Sequence, residues 1–413
     1  MTDIGILRPL VDRVQELAAR PGEDVKKELW ARHNALQKTV RIPVCVSFEG
    51  IPAAQWDLML GAGHGRCAGD LARRLEFDLR KRIWMAENVP DDHVVWAALL
   101  VPAVATGGPD WGVPLEWHKS GDDLGAKGYD PPFAAGIDLA RLKPGRTEVD
   151  VKATSLRMEE AAELVGGRLA VHPRYETLGE GPFDRAVQMR GMENIFLDVF
   201  DSPELVHGMM EFITDAIVAD HRRREERGWL NCPADPSGRY QMVPMMRHVA
   251  AFLAPDFKDR GPRLFDEWPY VTAQTSSGLG PDQYAEFVQR YNSRIAKLYT
   301  RETVYYHGCE CLDHKLDVIA TLPNLRRHHV SPWSSVPAAV EKYRGAVNLE
   351  VHAHPGKVFF GATREDMRAE LAGLVAAAGG HPMNLNLSDI HSINGNPETL
   401  KVWAEEAQRA AEG

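Results

Sequence analysis

The chain has 413 residues, 44 % hydrophobic and 26 % charged, the make-up of a globular protein long enough to bury a sizeable core. A formal charge of −10 argues against a nucleic-acid binder, which would present a basic face. The cysteines, at 45, 67, 232, 309 and 311, are too few and too irregular for a disulfide framework; they suit a reducing, cytoplasmic setting.

The opening MTDIGILRPLVDRVQEL lacks the basic-then-apolar order of a signal peptide, and Leu7, Leu10, Val11, Val14 and Leu17 recur at helical spacing. After Pro21-Gly22 the pattern resumes to Leu36, so residues 1–40 are expected to form a helical N-terminal extension. RIPVCVSFEG then alternates as a strand, with Val44, Val46 and Phe48 on one side and Cys45, Ser47 and Glu49 on the other. The longest apolar run, VVWAALLVPAV at 94–104, is too short to span a bilayer and reads as a buried strand. Residues 105–150 are rich in Gly, Pro, Trp and Asp with little periodicity, and are expected to be a long loop excursion lining a substrate pocket.

Beyond it, helical periodicity in ENIFLDVFDSPELVHGMMEFITDAIVADHRRREERG is interrupted by a start signal, Ser202 as N-cap and Pro203 in the first turn. Short strands at YVTAQTS, TVYYHG, RRHHVSP, GAVNLEVHAHP and PMNLNLSDI alternate with helical segments such as DQYAEFVQRYNSRIAKLY and REDMRAELAGLVAAAGG. Repeated βα units in a chain of this size favour a (β/α)8 TIM barrel over residues 41–413, with an open doubly wound sheet as the runner-up.

Two strands carry the chemistry. In VYYHGCEC, His307 and Cys309 fall on one side at the end of the strand, where barrel active sites assemble. In GAVNLEVHAHP, Val347, Leu349 and Val351 form an apolar face, and Asn348, Glu350, His352 and His354 an opposite face that is costly to bury without partners. Together His307, Cys309, Glu350 and His352 (or His354) offer nitrogen, sulfur and oxygen donors that zinc accepts; Cys311 is the spare thiol. Glu49 and Glu310 are the candidate catalytic carboxylates, and Tyr306, Arg190, Trp117 and Trp333 the candidate substrate contacts. Trp111 and Phe133 are further aromatics of the excursion, Gln274 lies within YVTAQTS, and Ser388-Asp389-Ile390-His391 ends the last strand. The His328-His329 pair, following Arg326-Arg327 at a helix-to-strand loop, is expected to be exposed.

The stretches RIPVCVSFEG, GPFDRAVQMRGMENIFLDVFDSPELVHGMMEF, VYYHGCECLDHKLDVIATLPNLRRHHVSPW and LNLSDIHSINGNPETLKVWAEEA resemble the uroporphyrinogen decarboxylase-like superfamily over roughly residues 40–410. Within it the resemblance points to the methyltransferases of corrinoid-dependent methyl transfer and O-demethylation. The Arg-rich carboxylate-gripping motif of the decarboxylases is missing, whereas His307-Gly308-Cys309 matches the His-x-Cys start of the methyltransferase zinc site. No cysteine follows Cys311 to serve as that site's third ligand, so Glu350, His352 or His354 would stand in. The resemblance implies Zn2+, a small methylated donor such as a methoxylated aromatic, and a corrinoid carried on a separate protein, with a homodimer possible. The alternatives are a decarboxylase or lyase and a non-catalytic tetrapyrrole-binding protein.

Overall fold

In the computed structural model the described residues are 2–413 except 49, 62, 107–110, 120–126, 177–178, 232, 234–238, 244–247 and 251–260. The N-terminal periodicity becomes two helices, Asp3–Ala18 and Pro21–Asn34. The first buries Leu7, Val11, Val14 and Leu17 against Leu75 and Leu79 of the helix Asp70–Asn88. Side chains buried this way contribute on the order of 1.5–3 kcal/mol each.

The strands follow in chain order: β1 (Val44–Val46), β2 (Ala98–Pro102), β3 (Ala105–Thr106), β4 (Glu116–Lys119), β5 (Lys127–Asp130), β6 (Glu148–Val149), β7 (Ala170–Arg174) and β8 (Gly179–Glu180). Then come β9 (Gln241–Val243), β10 (His248–Ala250), β11 (Tyr270–Thr272), β12 (Val304–His307), β13 (Leu325–Val330), β14 (Asn348–His352) and β15 (Met383–Leu387). Seven of them form one parallel sheet in the order β1-β15-β14-β13-β12-β11-β8, and β2 pairs parallel with β7 in a separate ladder. The fold is mixed α/β, with each strand from β11 to β15 lying parallel beside its successor, the usual arrangement of consecutive βα units.

The outer edge of β1 takes side-chain partners. Val44 and Val46 donate their backbone N–H groups to the carboxylates of Asp92 and Asp91, both at 2.8 Å. Edge amides must be satisfied somewhere, and here two aspartates occupy the place of a neighbouring strand.

Local signals account for the helix ends. Thr363 and Asp366 form a reciprocal capping box before Arg364–Ala378, and Gly379 closes that helix in the left-handed conformation, φ 56°. The helical stretch around 193–228 is two helices, Met192–Asp201 and Pro203–Arg227, divided at the expected start signal; Pro203 opens the second, but Ser202 makes no side-chain cap bond. The excursion at 105–150 contains more order than a loop: β3 and β6 pair antiparallel across its base, and β4 and β5 form a hairpin within it. Among the described residues, no helix is long and apolar enough to cross a membrane.

Candidate metal centre

Alternation along β12 to β15 sorts their residues onto two faces. Val304, Val330, Leu349, Val351, Met383, Leu385 and Leu387 pack into the main apolar core. Tyr306 and His328 share that helix-facing side. Tyr306 hydrogen-bonds Tyr284 (2.7 Å) and stacks on His328, whose Nδ1 lies 3.2 Å from the Tyr343 hydroxyl.

The opposite face is polar in every row. The ladders set Tyr305 beside Arg327 and Asn348, then His329 beside Glu350 and Asn384, then His352 beside Asn386. Arg327, fully buried, anchors this face: it donates to Glu350 (3.0 Å), Asn384 (2.5 Å) and Asn34 (2.7 Å). The helix Pro21–Asn34 thus closes the strand starts with polar contacts, and the donors lie farther along the strands.

Those donors fall into two overlapping groups, His307–Cys309–His329 and His329–Glu350–His352, each with its ligand atoms within 4.8 Å of one another. In the first, His307 Nε2 is 3.4 Å from Cys309 Sγ and His307 Nδ1 is 3.2 Å from His329 Nδ1. Zinc–nitrogen and zinc–sulfur bonds imply tetrahedral ligand separations of roughly 3.3–3.8 Å, so the His307–Cys309 pair has the right span. In the second, His352 Nε2 is 2.9 Å from Glu350 Oε1, and the His329 and His352 rings stack at 3.8 Å.

Neighbours orient the donors. The Tyr305 hydroxyl donates to Glu350 Oε1 (2.9 Å) and lies 3.1 Å from the Nδ1 atoms of both His307 and His329. Gln274 donates to Cys309 Sγ (3.1 Å), and Ser388 Oγ is 2.6 Å from His352 Nδ1. Such partners fix ring orientation, which a ligand-binding imidazole needs.

Electrostatics favour neutral donors. Burial, reinforced by the neighbouring His352, holds His307 down to about 4, and burial drives His329 well below the usual histidine range. Both imidazoles therefore keep a free lone pair at neutral pH. Burial, then the negative Asp389 and Glu310, pushes the Cys309 thiol up to about 12. Burial also pushes Glu310 up to about 7; both of its carboxylate oxygens are buried without a partner among the described residues. Thr272 Oγ1, Asn384 Nδ2 and Asn386 Oδ1 are likewise buried and unpartnered there. An interior with so many orphaned polar atoms beside neutral N and S donors suits a cation and a polar ligand.

The four expected ligands are drawn to one face, yet Cys309 and the Glu350–His352 pair belong to different groups, and the link between them is His329. The expectation that His328 and His329 are exposed is overturned: both are 1 % exposed, because Leu325–Val330 is a central strand. Sequence reasoning weighed Tyr305 only as a substrate contact alongside Tyr306, and passed over Arg327; alternation in LRRHHV, with Arg327 and His329 in step, was the available signal. His354 caps the helix Pro355–Phe360 and Cys311 is exposed; neither is in a donor group.

The other candidates sit elsewhere. Tyr306 points to the helices, since one step along a strand reverses the face. Arg190 is committed to Asp198 (2.5 Å) and to the carbonyls of Phe133 and Ala134, pinning the excursion. Trp117 faces Tyr129 in the β4–β5 hairpin, and Trp333 is exposed beside His354. Trp111 and Phe133 pack into the main core rather than beside the donors. Glu310 adjoins the donors, and Glu49 lies outside the described residues.

No protein-family model and no curated protein sequence matches the chain. Solved structures similar to it include a methyltransferase from Methanosarcina mazei, with a TM-score of 0.53 and 13 % identity over 93 % of this chain and 98 % of that one. At that identity the likeness is one of fold, and it runs along nearly the whole of both chains.

Proposed function

We propose that the chain is a zinc-dependent methyltransferase component of the uroporphyrinogen decarboxylase-like superfamily, in its corrinoid-dependent branch. It would move a methyl group from a small methylated donor, such as a methoxylated aromatic, to a corrinoid protein. In this reading residues 41–413 are one (β/α)8 barrel that includes the β2–β7 ladder, with residues 1–40 as an extension. The protein acts in the cytoplasm, and a homodimer is compatible with it.

The observation that carries the reading is the His307–Cys309–His329 group on an otherwise orphan-rich polar face. The fold likeness to a methyltransferase agrees with it. His307, Cys309 and His329 would hold the ion, and Glu350 and His352 would sit beside it. Zinc, when bound, supplies a Lewis acid to polarise the methyl donor or activate an acceptor thiol. Tyr305 and Arg327 keep the imidazoles and Glu350 in place, and Glu310, pushed up to about 7, can give or take a proton beside Cys309. A polycarboxylate decarboxylase has less support, because Arg327, the arginine on this face, spends its charge on Glu350.

The test has two arms. Purified protein should contain about one zinc per chain, and Cys309→Ser should lose most of it; stoichiometric zinc in the variant removes the ligand assignment. Zinc-loaded protein should convert cob(I)alamin to methylcobalamin with methoxylated aromatics, followed by visible absorbance. Failure across a panel of such donors would overturn the transfer reading.

A further inference from the structure

A cavity lies away from the donors. The outer edge of β1 is occupied by Asp91 and Asp92, and β2 pairs only with β7 among the described residues, so the two sheets leave a seam between β1 and β2. The helix Asp70–Asn88 runs along this seam, and Arg82 donates to the carbonyl of Ala98 at the start of β2. A cavity of about 280 Å³ opens there, and it adjoins a larger one of about 600 Å³ through shared walls at Asp78, Lys81, Leu100 and Arg174. None of His307, Cys309, His329, Glu350 or His352 lines either cavity.

The inner cavity has two chemically distinct walls. One is aromatic: Phe48, Trp56 and Trp96 all line it, and Phe48 and Trp56 are in tilted contact at 5.5 Å. The other is cationic, with Lys81, Arg82 and Arg174 against the single carboxylate of Asp78. Asp78 is spent on Arg82, at 2.8 Å. Lys81 lies over the faces of Trp56 and Phe77, at 5.5 and 4.7 Å, which joins the two walls. Arg174 has no carboxylate partner among the described residues, and it lines both cavities. In a chain of net charge −10, an arginine without such a partner marks a place where an anion is attracted.

We propose that this seam is a second ligand site, one that takes a small aromatic carboxylate. The ring lies against Phe48, Trp56 and Trp96, where aromatic packing and exclusion of water favour it. The carboxylate meets Arg174, whose planar fork matches it in two parallel hydrogen bonds, with Lys81 adding a second positive charge. Volume agrees, since a cavity of about 280 Å³ has room for a benzoate-sized molecule without requiring the larger neighbour. The proposal is independent of the metal reading, because the two sites share no side chain.

The probe is benzoate, with benzamide as the neutral isostere and inorganic phosphate as the anion without a ring. Trp56 and Trp96, two of the chain's ten tryptophans, let intrinsic fluorescence follow binding, and calorimetry supplies the affinity. Benzoate should bind saturably, with benzamide and phosphate each at least about tenfold weaker, the loss of one charge-assisted contact or of the ring. Arg174→Gln, at an exposed side chain, should weaken benzoate about tenfold and leave benzamide unchanged, with circular dichroism confirming the fold. Lys81→Met should weaken benzoate in the same sense. Equal binding of benzoate and benzamide, phosphate as tight as benzoate, no saturable change, or unaltered benzoate affinity in both variants would overturn the proposal. Zinc content measured on the same samples should not change, so a failure here is separable from a failure of the metal assignment.

Discussion

His328 and His329 are chain neighbours, both 1 % exposed, and they do different work because a strand turns successive side chains to opposite faces. His328 faces the helices, sandwiched between Tyr306 and Tyr343, as a core imidazole with one satisfied nitrogen. His329 faces inward and belongs to both donor groups. The same division holds across β12 to β15: one face is closed by apolar contacts, the other by a chain of charged and hydrogen-bonding groups anchored on Arg327. The difference teaches that burial alone does not separate a structural histidine from a ligand; the side chains one strand away do.

The strongest way to break the comparison is to remove the anchor. Arg327→Met strips the buried Glu350 of its cation, and should destabilise the protein by about 3–5 kcal/mol in a denaturant titration, more than an outer-face truncation of the same strands would on average. A loss under about 1 kcal/mol would mean that Glu350 is not held as a buried charge. The paired histidines sharpen the contrast. His329→Ala should lower zinc affinity by about a hundredfold or more, because both groups lose a member. His328→Phe should keep the metal and cost about 1–3 kcal/mol of stability, from the Tyr343 hydroxyl left unpaired. Equal metal loss in the two variants would erase the distinction between the faces.

How much of this was legible beforehand depended on whether the pattern was written within one strand. NLEVH alternates openly, so Glu350 and His352 could be placed on one face from sequence alone, and so could His307 and Cys309 in HGC. Arg327 and His329 were hidden because RRHH reads as a charged, solvated turn, and a buried arginine is rare enough that nothing local argues for it. Their burial is set by β12 and β14 on either side, which is information between segments. The parallel βα organisation was visible in the order of strands and helices. The seam was not, because it arises where Asp91 and Asp92, far from β1 in sequence, take its edge amides.

A smaller effect is expected one step from the donors. Tyr305→Phe keeps the ring and removes the hydroxyl that lies 3.1 Å from both His307 Nδ1 and His329 Nδ1. Zinc affinity should fall about tenfold to a hundredfold with the ligands intact, the usual cost of losing an orienting partner. An unchanged affinity in a chelator competition would show that the two imidazoles are held by packing alone.

The last prediction concerns the proton balance of binding. His307, held down to about 4, and His329, held lower than usual, are already neutral from about pH 6 to 8 and have no proton to release. The Cys309 thiol, pushed up to about 12, keeps its proton through the same range. Zinc taken up by the thiolate must therefore expel one proton, so its apparent affinity should rise about tenfold for each pH unit across that window. The sign follows from mass action: raising the pH removes a product of the binding reaction. Cys309→Ser should flatten the slope toward zero as well as weaken binding, whereas a slope of two would show that an imidazole also arrives protonated. A zinc affinity that fell with rising pH would contradict thiolate ligation altogether.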